Sequence, residues 1–184
     1  MNENETGRRK KSLVIKVVIP VVLVCVVAGI WLFKNAGSSP AQPGAAQSAT
    51  GDFQLTVGDG LDLDHLKGYG VPIILKFGAE WCGPCQELAP IIDELHTEVD
   101  GRAIIKDIDV DEYADLSQEY PVTVIPTMVL IDSDGNPYAS QGSVLPLKYY
   151  SSRETGEHIF TTVEGVLTKD QLVALLTDMG MDEQ

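Results

Sequence analysis

Hydrophobic and polar positions divide the chain into three stretches. Residues 13–33 are apolar apart from Lys16, a run long enough as a helix at 1.5 Å per residue to cross a hydrocarbon core of about 30 Å. Residues 34–51 are Ala, Gly, Ser, Pro and Gln with almost no charge. Such a stretch has little apolar surface to bury and reads as a flexible tether. From residue 52 onward the pattern becomes that of a folded domain. Alternation over 53–57 predicts a short strand, and 61–66 a helix. The apolar run 72–77 predicts a buried strand. Leu88, Ile91, Ile92, Leu95 and Val99 recur at helical spacing over 87–99, with Pro90 as an expected kink and Gly101 at the end. Strands follow at 103–110 and 127–131, with a short helix at 112–120 between them. Residues 133–136 form a turn into an expected hairpin partner. A last amphipathic helix covers 168–179, with Thr168 as its N-cap. Strands alternating with helices, then a hairpin, predict an α/β domain with a central mixed sheet flanked by helices.

Charge adds an orientation. Residues 1–34 carry six basic side chains against two acidic ones; the whole chain of 184 residues is at −14, so the remainder is at −18. The basic cluster Arg8, Arg9, Lys10 and Lys11 precedes the apolar run. The positive-inside rule then makes residues 1–12 a cytoplasmic tail, 13–33 one N-terminal transmembrane helix, and 52–184 an extracytoplasmic domain. A cleaved signal peptide is the competing reading. It expects a shorter apolar region and a small-residue cleavage site, whereas here the run continues through Trp31 and Phe33. Lipid modification of Cys25 is disfavoured by Val24 before it. The acidic body argues against nucleic acid, which needs clustered Lys and Arg.

Two of the three cysteines stand in Trp81-Cys82-Gly83-Pro84-Cys85, between the strand at 72–77 and the helix at 87–99. Two cysteines so spaced at a helix N-terminus are placed for reversible disulfide chemistry. The partial positive charge and free N–H groups there favour the thiolate, which is the reactive form. Cys82, just ahead of the helix, is expected to be the exposed attacking sulfur and Cys85 the resolving one. Cys25 reads as apolar filler. His65, His96 and His158 are scattered, so the ligand count for a metal site falls short.

These residues, with Leu88-Ala89-Pro90, with Ile125-Pro126-Thr127 ahead of a strand, and with Gly165 before Leu167-Thr168-Lys169, resemble the thioredoxin family over roughly 52–179. The resemblance implies a thioredoxin fold. It implies Cys82 as nucleophile, Cys85 as resolving thiol, and Trp81 as a lid. Pro126 is expected after a cis peptide bond, leaving the backbone of Ile125 to pair with an extended substrate segment, with Gly83 and Pro84 beside it. The family's buried acidic residue, six positions before the first cysteine, is replaced by Lys76. Its usual lysine partner on the next strand is replaced by Asp107, so the pair reads as charge-swapped. The chain is also longer than a minimal member between Pro126 and Gly165. That insertion, at about 138–160, suits an extended hairpin or a packed loop.

The expected activity is a membrane-anchored thiol–disulfide oxidoreductase, with the Cys82–Cys85 pair as its redox centre and no bound cofactor. Gly83-Pro84 and Ile125 resemble reducing members. The expected partners are disulfide-containing client proteins and, as electron donor, a membrane thiol-electron transporter of the cytochrome c biogenesis type. The alternatives are a dithiol oxidase or isomerase, and a non-catalytic binding module on the same scaffold.

Overall fold

The computed structural model describes residues 51–58, 60–140, 142 and 144–182. The basic tail, the 13–33 run and nearly all of the tether lie outside the described residues. Among the described residues no helix is long and apolar enough to cross a membrane.

The elements are α1 (Leu63–Lys67), β1 (Ile73–Gly78), α2 (Gly83–Glu98), β2 (Ile104–Asp109), α3 (Ala114–Gln118), β3 (Thr127–Ile131), β4 (Lys148–Ser151), β5 (His158–Glu164) and α4 (Lys169–Asp178). The sheet runs β2-β1-β3-β5-β4. β1 and β2 are parallel; β3 is antiparallel to β1 and to β5, and β4 is antiparallel to β5. It is therefore a mixed five-stranded sheet. β1 is wholly buried because both of its faces are covered. Ile74, Ile105, Met128, Leu130 and Val163 face Leu88, Ile92 and Leu95 of α2 and Leu172, Leu175 and Leu176 of α4. Ile73, Leu75, Phe77, Ile104, Ile108, Val129 and Ile131 face the other way, toward Leu66 of α1 and Leu116 of α3. The period-2 alternation of β1 thus sets Lys76 on the α2 face, between Ile74 and Gly78.

Local signals place most element ends. Thr168 and Gln171 form a reciprocal capping box on α4. Asp62 caps α1 through the His65 N–H at 3.0 Å. α2 begins four residues earlier than the apolar spacing marks and runs on through Pro90, a residue that cannot donate an N–H.

Two expectations are corrected. The strand expected at 53–57 shrinks to one parallel bridge, Thr56 to Asp107. The chain turns just before it, with Gln54 N–H on Gly51 O, so the pairing with β2 is confined to this bridge, in which Asp107 N–H donates to Leu55 O at 2.8 Å. The hairpin partner expected directly after 133–136 is also absent as a strand. The turn itself forms, with Asp132 accepting from the N–H groups of Asp134 and Asn136 and Gly135 at φ 80°. Beyond it lies a single bridge between Ile131 and Pro137. Tyr138 N–H donates to Leu130 O at 3.0 Å, but the pairing goes no further because β5 occupies this edge of β3 from Val129 to Thr127. The insertion at 138–160 builds β4 and the start of β5, adding one edge strand. Its Tyr138 is buried, and the hydroxyl donates to Asp178 of α4.

Candidate active site: a disulfide at the start of α2

β1 delivers the chain to the end of the sheet at Gly78, and Ala79, Glu80 and Trp81 cross to α2. Cys82 takes an extended backbone conformation and is the N-cap, with Pro84 in the first turn. Two hydrogen bonds hold the crossing: Cys82 N–H to Ala79 O at 3.2 Å, and Gln86 Nε2 to Glu80 O at 2.6 Å.

Cys82 and Cys85 are joined in a disulfide, with Cα atoms 5.2 Å apart. The Cys85 N–H points at Cys82 Sγ, 3.2 Å away, so one of the free donors of the helix start is aimed at this sulfur. That donor and the helix dipole are in place to favour a thiolate on Cys82 when the bond opens. The expected exposure is not what this oxidised state shows: Cys82 is 5% exposed and Cys85 2%. Both pack with Ala79 against Val110 and Ile125, contacts that come from other loops and that spacing along the chain does not encode.

The peptide bond between Ile125 and Pro126 is cis. The Ile125 carbonyl oxygen lies 3.7 Å from Cys82 Sγ, so the loop at the head of β3 meets the redox centre at its attacking end. This loop is secured from both sides. Thr127 Oγ1 donates to Val124 O at 2.7 Å, and Gly165 N–H donates to Pro126 O at 2.9 Å. Around it Trp81, Val124 and Val166 are exposed apolar side chains. Trp81, read as a lid, is 70% exposed, and its indole N–H donates to Asp111 Oδ2 at 2.7 Å. Asp111 carried no signal in the sequence, because it arrives from the loop after β2. Gly83 and Pro84 are exposed on the same rim.

Behind the disulfide lies a cleft of about 350 Å³. Lys76, Gly78, Cys85, Asp107 and Asp109 line it. Lys76 and Asp107 are register partners on β1 and β2, and Lys76 Nζ donates to Asp107 Oδ1 at 2.7 Å. The ammonium is buried, while the carboxylate is about a third exposed. Gly78 matters by its missing side chain. A Cβ there would lie 2.8 Å from Lys76 Nζ and 3.3 Å from Cys85 Sγ, so only a methyl-sized gap separates the two groups. Among the described residues no group of three or more His, Cys, Asp or Glu could hold a metal ion.

The chain is similar to known proteins. The thioredoxin family model matches residues 64–148. A thioredoxin of Pseudomonas aeruginosa is 38% identical over 82 residues, which are 45% of this chain and 74% of that protein. The mitochondrial thioredoxin of Mus musculus is 33% identical over 102 residues, 53% of this chain and 61% of its own length. The chain thus spans about three fifths of the mitochondrial relatives it matches. Among solved structures, a mutant thioredoxin from Halobacterium salinarum NRC-1 aligns with a TM-score of 0.47 at 28% identity, covering 70% of this chain and 93% of that one.

Proposed function

Because the chain belongs to the thioredoxin family, we propose that it is a protein-disulfide reductase held at the outer face of a membrane. The observation that carries this reading is the convergence on Cys82 Sγ of a helix-start N–H from Cys85 and the carbonyl of the cis-linked Ile125. In the reduced chain the Cys82 thiolate attacks one sulfur of a client disulfide. A mixed disulfide forms and the other client sulfur leaves as a thiolate. Cys85 then attacks Cys82 Sγ, the client's second sulfur leaves, and the Cys82–Cys85 disulfide remains. Two electrons pass from the dithiol to the client, and no cofactor takes part. An extended client segment lies along Ile125 as an added strand would, over the apolar rim of Trp81, Val124 and Val166.

The apolar run at 13–33 and the basic cluster before it support a single-pass anchor with the N-terminus in the cytoplasm. The tether then presents the domain on the far side. There the dithiol is regenerated by a membrane thiol-electron transporter of the cytochrome c biogenesis type.

The full chain in detergent, with dithiothreitol as donor, is expected to reduce insulin. Cys85→Ala is expected to stop turnover and to accumulate a mixed disulfide on Cys82, seen as a reducible client adduct. A chain that cannot reduce insulin and traps nothing is a binding module instead. One that equilibrates with glutathione at the oxidising end is an oxidase or isomerase. An alkaline phosphatase fused after residue 184 is expected to be active, and an inactive fusion overturns the outward orientation.

A further inference from the structure

Cys85 is enclosed on one side by Cys82 and reaches the solvent-connected cleft on the other. The ionisable groups around that cleft come from every element that bounds it: Glu80 from the crossing into α2, Lys76 from β1, Asp107 and Asp109 from β2, and Glu112 and Tyr113 from the loop after β2. Among these described residues four are carboxylates and one is a cation. Carboxylates oppose the ionisation of a nearby thiol, and a cation favours it. The cation is also the group best placed to act. A Cβ at Gly78 would have Lys76 Nζ and Cys85 Sγ among its three nearest atoms, and no carboxylate oxygen among them. Asp107 holds that ammonium on the opposite, more exposed side.

We propose that Lys76 is a positioning residue for the resolving step: its buried ammonium, fixed by Asp107, stabilises the Cys85 thiolate that attacks Cys82 Sγ. This deepens the reductase reading and rests on it for the reaction served. The proton of Cys85 leaves through the cleft. The sulfur then forms the Cys82–Cys85 bond as the Cys82–client bond breaks and the client takes the electron pair. The charge on Lys76 is unchanged before and after, so it acts by its field and not as an acid or base.

The test titrates Cys85 directly in the full chain carrying Cys25→Ser and Cys82→Ser, by the pH dependence of iodoacetamide alkylation. Adding Lys76→Met is expected to raise the midpoint by about one unit, a tenfold loss of thiolate at a given pH below it. Lys76→Arg, which keeps the charge, is expected to restore most of it. Gly78→Ala keeps the lysine but puts a methyl between the two groups, and is expected to raise the midpoint by less. With both cysteines of the centre present, resolution of the transient mixed disulfide in Lys76→Met is expected to slow at pH 7 and to recover at higher pH. An unchanged midpoint in Lys76→Met, or in Gly78→Ala if the first variant does not fold, overturns the assignment. An equal rise in Lys76→Met and Lys76→Arg also overturns it, because packing and not charge would then be responsible. The titration needs no client. A chain that shows these shifts but cannot reduce insulin loses the reductase reading and keeps the role of Lys76.

Discussion

Two buried lysines on neighbouring strands divide the molecule instructively. Lys76 of β1 and Lys106 of β2 are each 4% exposed, and they lie on opposite faces of the sheet. Lys76 faces α2, pairs with a carboxylate and borders a sulfur. Lys106 pairs across from Leu75 and turns to the other face, where Nζ donates to the carbonyl of Gln54 at 2.6 Å. Burial lowers the Lys106 pKa from its ordinary value, and distant Asp52 opposes this only weakly. A buried ammonium bonded to a carboxylate is compensated by it and sits ready to act on its neighbour. One solvated by carbonyls mostly fastens the chain, here the segment where the tether enters the domain.

The largest test of this contrast removes the ionic partner. Asp107→Ala leaves the Lys76 ammonium buried without its counter-charge, and is expected to cost about 3 kcal/mol in urea unfolding. A loss near zero would mean that the Lys76–Asp107 pair contributes nothing net to stability. The next removes the other lysine. Lys106→Met strips the Gln54 carbonyl of its donor while relieving a buried charge, so the expected net loss at pH 7 is about 1 kcal/mol, with insulin reduction unchanged. Its pH dependence sharpens the point. The folded pKa of Lys106 lies below the unfolded value, so between the two the unfolded chain holds more protons and stability rises with pH. The stability gap between the native chain and Lys106→Met is therefore expected to widen as pH rises toward 10.5, and a flat or narrowing gap contradicts a desolvated ammonium. The smallest effect concerns the same entry segment. Tyr69 donates to Asp52 Oδ2 at 2.6 Å; this bond raises the tyrosine pKa to about 12 and lowers that of Asp52. Tyr69→Phe is expected to cost about 0.5–1 kcal/mol at pH 7. Because the Asp52 pKa is depressed, that contribution is present above 3.8 and lost as pH falls further. The difference should narrow as pH falls below 3.8 in a pH series of urea midpoints.

Legibility in the sequence followed the range of the forces involved. The strand at 127–131 and the capped helix after Thr168 match the structure because a run of apolar residues or an N-cap is decided within one element. The start of α2 was legible from the cysteine motif, which puts Cys82 just ahead of the helix, and not from the apolar period. Gly83, Pro84 and Cys85 lack the apolar period, yet a free helix end accepts them as its first turn. The partner of β3 was misplaced because a turn at 133–136 says where the chain reverses, not which later strand fills the neighbouring place. The near segment pairs only at Pro137, and β5 takes the rest of the place beside β3. Trp81 could be singled out from the motif, but Asp111, which holds its indole, could not. Their proximity exists only once β1 and β2 lie side by side.

By itself, then, the sequence determined the redox motif, its seat at a strand-to-helix junction and the alternation of elements. Each follows from residue type and short spacing, which steric and hydrogen-bonding preferences translate locally. The tertiary structure alone decided how deeply Cys82 and Cys85 are covered, and that the insertion adds an edge strand. It alone brought Lys76 and Asp107 together at 2.7 Å behind Cys85. Those outcomes depend on strand register, and a shift of one residue would turn Lys76 to the opposite face of the sheet.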